Sequence, residues 1–184
     1  MMTRKDRREL IPLRGYPDEV GVWLSALQDA RSRTLRVVER IDPHWLDFVT
    51  EDGGESIGTI LYHLAAIEAS WLYEDILQAP FPTEIESLFP YDVRAADGKL
   101  TSVSASMVEH LQRLEKVREN LLQEFSLIAV ENFKELRELP EYEISPMYAL
   151  HHLMQHEAEH RSQMDAIRIK AKKSLGTGLP EETL

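Results

Sequence analysis

No cysteine occurs among the 184 residues, so disulfides and thiolate metal sites are both excluded. Any metal ion must be held by His, Asp or Glu. The lack of disulfides suits a reducing compartment, and the chain is expected to be cytoplasmic. There is no run of ~18 apolar residues to span a bilayer. The opening MMTRKDRRELIPLRG is basic but lacks the apolar stretch of a secretory signal. Positive charge is scarce overall: 21 Lys and Arg against 32 Asp and Glu give a formal net charge of −11. A surface of that sign argues against nucleic acid as a partner and disfavours anionic membranes, but itself names no partner; a small-molecule substrate is the expectation. Convincing strand patterns and internal repeats are also missing.

Apolar residues at helical spacing dominate the chain. The first pattern runs from Pro17 to Ile41, with Val20, Leu24, Leu27, Thr34, Val38 and Ile41 in one stripe and Asp18 and Glu19 favourable at the N-terminus. The second, Ser56 to Gln78, has Ser56 as its N-cap and buries Ile57, Ile60, Leu64, Ile67 and Trp71. A connector rich in Pro, Asp and Gly, Phe81 to Leu100, follows; at that length it is expected to lie over a site. The third pattern starts at Thr101 or Ser102 and ends at Phe125, with Met107, Leu111, Leu114, Leu121 and Phe125 near heptad spacing. Glu131 to Ile144 reads as extended or a short helix. Ser145-Pro146 opens the fourth helix, which reaches about Lys173 and is closed by Gly176.

Four amphipathic helices without strands predict an all-α, antiparallel four-helix bundle, either up-down-down-up or up-down-up-down. Residues 1–16 form a basic arm, 17–175 the bundle, and 176–184 a flexible tail. A homodimer is expected, because Met147 and Met154 fall on the outward side of the fourth helix.

Histidine is concentrated where the last helix begins. The stretch LHHLMQHEAEHRSQM, Leu150 to Met164, holds four of the seven histidines. At ~100° per residue, His152, His156 and His160 share an arc of roughly 80°, and Ala149, Leu153, Met164 and Ile167 on the same face turn that arc inward. Several desolvated imidazoles are costly without a partner, so a bound divalent ion is the expected explanation. Histidines four apart lie close enough to hold one ion. His63, in mid-helix on the face of Ile60, Ile67 and Trp71, is the candidate ligand from a neighbouring helix. His44, His110 and His151 read as surface residues.

His156-Glu157-Ala158-Glu159-His160 also matches H-E-x-x-H, the zincin protease signature with Glu as general base. The extended form needs Gly and His where this chain has Gln163 and Ala166, and no sheet precedes the motif. A protease is therefore disfavoured.

Taken together, the histidine within SIGTILYHLAAIE and the run HLMQHEAEHRSQM resemble the DinB-like (damage-inducible) four-helix proteins over Pro17 to Lys173. That family favours a His-x3-His-x3-His run ending in His-Arg-Gly-Gln; here Ser162 replaces the Gly. The resemblance implies His63, His156 and His160 as metal ligands, with His152 beside them. It also implies thiol chemistry, since the family includes S-transferases using bacillithiol or glutathione-like cofactors and a mycothiol-dependent maleylpyruvate isomerase.

Three imidazoles leave an ion's charge uncompensated and a position open, as in catalytic zinc sites. Zinc or nickel suits such ligands. The open position takes water, giving hydrolysis, or a low-molecular-weight thiol, giving S-transfer; transfer is the favoured expectation. Glu157 is the candidate base for water, with orienting a ligand or sitting at a helix interface as its alternatives. Gln163 is placed to bond a ligand's free ring nitrogen, and Trp71 to wall the pocket. A non-enzymatic metal sensor or binding bundle is the remaining reading.

Overall fold

The computed structural model describes residues 9–51 and 53–176. The first half of the basic arm, residues 1–8, and the tail beyond Gly176 lie outside the described residues. Four long helices carry the fold: α1 (Asp18–Val38), α2 (Ile57–Ser70), α4 (Met107–Phe125) and α6 (Pro146–Leu175). Between them lie the short helices α3 (Thr83–Glu86) and α5 (Val130–Lys134), and a two-stranded antiparallel ladder of β1 (Arg137–Glu138) and β2 (Glu143–Ile144).

Local chemistry sets the helix ends. Ser56 caps α2 by accepting from Thr59 N, and Ser145 caps α6 by accepting from Tyr148 N, with Pro146 in the first turn. Helix α4 starts later than the Thr101 or Ser102 expected from its pattern. Ser106 and Glu109 form a reciprocal capping box there. Upstream, Val103 is buried and its N–H donates to Thr59 Oγ1, which holds the preceding residues out of the helix. The inner part of the N-terminal arm is docked on the bundle. Leu13 N donates to Gly21 O, Tyr16 Oη donates to Leu122 O, and a Cβ at Gly21 would stand 3.0 Å from Leu13 O.

Side-chain partners fix the direction of each helix. Trp23 faces His151, Arg31 pairs with Glu157 and Arg40 with Asp165, so α1 and α6 run parallel. Gly58 meets His110 and Glu68 meets Arg118, so α2 and α4 are also parallel. His63 faces His156 and His160 while Trp71 faces His152, so α2 and α6 are antiparallel. The contacts of α1 with α4, Leu27 to Arg118 and Arg31 to Leu114, are antiparallel as well. This is the up-down-down-up arrangement. Parallel α2 and α4 need a crossover back along the bundle, which explains the long connector.

The core joins Leu24, Leu27, Ile57, Ile60, Leu61, Leu64, Leu114, Leu121, Phe125, Leu153 and Met164, all buried. Met147 and Met154 are half-buried against this core. No helix among the described residues is long and apolar enough to cross a membrane. A cavity of about 690 Å³ opens between α1 and α4, lined by Leu35, Val38, Met107 and Leu111 and floored by Arg31 and Arg118.

His110 corrects a sequence expectation: it is fully buried and not on the surface. Arg113 Nη1 lies 3.3 Å from His110 Nδ1, which makes that nitrogen the acceptor. Nε2 has no hydrogen-bond partner. Burial, with Arg113 as the second cause, pushes the ring down to about 4 from an ordinary 6.5. The unfolded chain therefore takes up this proton first as pH falls. Stability is full above the unfolded value and is lost between the two values, by about 3 kcal/mol in all. In metal-free protein, His110→Leu is expected to flatten the decline of urea-denaturation stability across that window relative to wild type. Equal slopes would contradict a neutral buried His110.

Candidate metal centre

The inward arc of α6 meets the centre of α2. His156 Nε2 lies 3.0 Å from His63 Nε2 and 3.1 Å from His160 Nε2. One ligand atom from each of the three rings lies within 4.8 Å of the others. His63 is 6% exposed and the other two are half-buried. The spacing of four residues on α6 brings His156 and His160 side by side, and antiparallel packing presents His63 across from both.

The electrostatics keep two of these rings neutral. Burial first, then His160 and Arg94, push His63 down to about 4. Burial first, then His160, His63 and His152, push His156 down to about 3, against a small upward pull from Glu68. His160 Nδ1 lies 2.8 Å from Gln163 Oε1; as an amide oxygen can only accept, Nδ1 carries the proton and Nε2 presents its lone pair to the cluster.

These donors fit a metal ion. A single hydrogen on His156 Nε2 can bridge to one neighbour, whereas two neighbours crowd it. One cation satisfies all three lone pairs. Tetrahedral Zn–N bonds of ~2.0–2.1 Å imply nitrogen separations of about 3.3 Å, a few tenths from the two that His156 Nε2 makes. With no carboxylate in the set, the ion would retain its full charge.

Around the histidines, His152 stacks flat on Trp71, with centroids 3.9 Å apart and planes 5° from parallel. The same ring lies 5.8 Å from that of His156. Trp71 opens a π-helical segment, Trp71–Ile76, that prolongs α2. Such wider turns are frequent at functional sites. The connector does approach this region: Tyr62 Oη donates to Tyr91 O, Phe89 packs on Tyr62, and the Arg94 charge acts on the neighbouring His63. Ser162 is exposed, so its replacement of a Gly has no bearing on helix packing. His44 is exposed and pairs with Asp42, and half-buried His151 packs edge-on to Trp23; neither joins the cluster.

Glu157 does not join the histidine cluster. It is 2% exposed and accepts from Arg31 Nε at 2.7 Å and Arg118 Nη2 at 3.3 Å. Its carboxylate belongs to a buried cluster with Glu68, which accepts from Arg118 Nε at 2.6 Å and Arg31 Nη2 at 2.7 Å. These bonds engage the Glu157 carboxylate with arginines of two other helices. Sequence reasoning singled out neither Arg31, Glu68 nor Arg118. The signal was a charged residue at the vacant step of an apolar stripe: 31 between Leu27 and Thr34, and 118 between Leu114 and Leu121.

No curated protein matches the chain. Among solved structures it is similar to YfiT from Bacillus subtilis, described as a probable metal-dependent hydrolase with an unusual four-helix bundle topology. The two align over 97% of this chain and 95% of that one, with 18% identity and a TM-score of 0.56, a likeness of fold. Residues 26–164, most of the chain, match the model of the DinB superfamily, and the chain belongs to that superfamily.

Proposed function

We propose that the protein is a metal-dependent enzyme that transfers a small-molecule thiol to an electrophilic carbon at the three-histidine centre. The observation that carries this reading is the donor set itself: three imidazole nitrogens from two helices, with no carboxylate ligand and the nearby Glu157 committed elsewhere. A divalent ion bound there, zinc or nickel by ligand type, would supply the Lewis acidity that ionises a thiol. His63, His156 and His160 would hold it, and Gln163 fixes the His160 ring through Nδ1. The stacked Trp71–His152 pair supplies a rigid wall beside His156. In the reaction a carbon–sulfur bond forms and the bond to the leaving group breaks. The leaving group takes the electron pair, and the thiol proton goes to solvent. Because the chain lacks cysteine, the sulfur must come from a small molecule.

Water in place of the thiol gives hydrolysis, the reading favoured by the likeness to YfiT. One experiment separates the two. Zinc- or nickel-loaded protein is assayed with a chloro or epoxide electrophile plus bacillithiol, mycothiol, glutathione or coenzyme A, beside an ester and amide panel without thiol. Metal-dependent conjugation with one thiol is the expected result. Metal-dependent ester or amide turnover with no thiol requirement would replace transfer by hydrolysis.

A further inference from the structure

Each long helix places one charged side chain in the middle of the core: Arg31 from α1, Glu68 from α2, Arg118 from α4 and Glu157 from α6. Their side chains are 3–8% exposed. Each glutamate is bound by both arginines and each arginine by both glutamates, with contacts between 2.6 and 3.3 Å. The remaining guanidinium nitrogens are engaged too: Arg31 Nη1 donates to Leu114 O, and Arg118 Nη1 to Leu27 O and Gln28 Oε1. Such a cluster is not explained by stability. Desolvating four charges costs several kcal/mol per ion, and well-packed apolar replacements are often neutral or stabilising by ~1–4 kcal/mol. What the cluster supplies is geometry. An apolar interface tolerates a small slide or rotation of one helix on another, whereas hydrogen-bonded charges of fixed direction do not.

The cluster is also next to the histidines. Glu157 directly follows His156 on α6, Glu68 lies five residues beyond His63 on α2, and the Glu68 charge is felt at His156. The two helices that bring His63 and His156 together are thus joined one step away by Glu–Arg–Glu bridges reaching through α1 and α4. A one-residue slip of α6, ~1.5 Å along its axis and 100° around it, would break the bridges and part the histidines together. Metal sites tolerate only about ±0.2 Å in ligand distance.

We infer that Arg31, Glu68, Arg118 and Glu157 are positioning residues for the metal centre, a four-helix clamp that sets the approach of His63 to His156. The inference rests on the three-histidine metal reading, and the test keeps the two apart. The variant Arg31→Met/Glu68→Leu/Arg118→Met/Glu157→Leu removes every buried charge at near-constant volume. Urea denaturation of the metal-free proteins gives stability, zinc competition titration gives affinity, and the visible spectrum of the cobalt(II) forms gives coordination geometry.

The expected result is stability equal to or above wild type, zinc affinity weakened ~10- to 100-fold, and an altered cobalt spectrum. Wild-type affinity and spectrum in the variant would reduce the clamp to a structural feature. If the wild-type protein itself binds no zinc or cobalt, the metal reading fails and the inference with it. Should the quadruple variant not fold, Glu157→Asp, which keeps the charge and shortens its reach, is read by the same spectrum. An altered cobalt spectrum supports positioning, and an unaltered one at lowered stability overturns it.

Discussion

Metal-free protein is expected to take up about one zinc ion per chain, and His63→Ala, His156→Ala and His160→Ala each to abolish tight binding. Zinc held at structural protein sites is worth ~10–16 kcal/mol of apparent binding free energy, so one ligand in three is a large share. Among the described residues the cluster has no spare donor of the same reach: His152 is stacked on Trp71, and Glu157 and Glu68 are held by arginines. His44→Ala and His151→Ala leave the site untouched and serve as controls, since neither ring is in the cluster. His152→Ala is expected to keep binding while loosening the Trp71 wall. Titration of each variant with a zinc-sensitive dye, beside elemental analysis of the purified protein, measures these outcomes. Retention of tight binding by His63→Ala would mean that α6 alone holds the ion, and would end the two-helix description of the centre.

The position of His63 illustrates what the sequence makes legible. A histidine in mid-helix on an apolar face, and three more at steps of four, specify two inward imidazole arrays because helical period alone sets which residues share a face. The cap signals at Ser56 and Ser145-Pro146 are equally local and place two helix starts correctly. Order around the bundle is a different matter. The same stripes satisfy up-down-up-down and up-down-down-up, and only the long crossover between α2 and α4 hints at the second. The start of α4 was misplaced for a tertiary reason, the tie from Val103 N to Thr59 across the connector. His110 looked external because it sits beside the heptad stripe of α4, yet α2 approaches through Gly58, where a Cβ would come within 3.2 Å of Nε2. Arg31 and Arg118 are not legible as partners because a charge in a stripe reads as a gap. Their partners lie on other helices, which no periodicity reveals.

Arg118→Ala is expected to be the most destabilising single substitution in the chain. Arg118 engages both oxygens of Glu68 and one of Glu157. Removing one partner of a buried pair typically costs ~3–5 kcal/mol, because the charges left behind stay desolvated. The pH dependence gives the loss a signature. Burial pushes the Glu68 carboxyl up, but Arg118 and Arg31 outweigh it and hold the group below its ordinary 4.5. In wild type, that contribution is present above the unfolded value and disappears as pH falls through the folded one. Without Arg118 only Arg31 opposes burial, so the folded carboxyl moves up and acid costs the variant less stability than it costs wild type. The deficit against wild type should therefore be widest at neutral pH and narrower in mild acid. Urea denaturation of both proteins under the two conditions measures it. Adding Glu68→Leu to Arg118→Met should recover much of the loss, since the pair is then replaced and not halved. A deficit below about 1 kcal/mol at neutral pH would show that water reaches the cluster and that these four charges are less buried than the bundle requires.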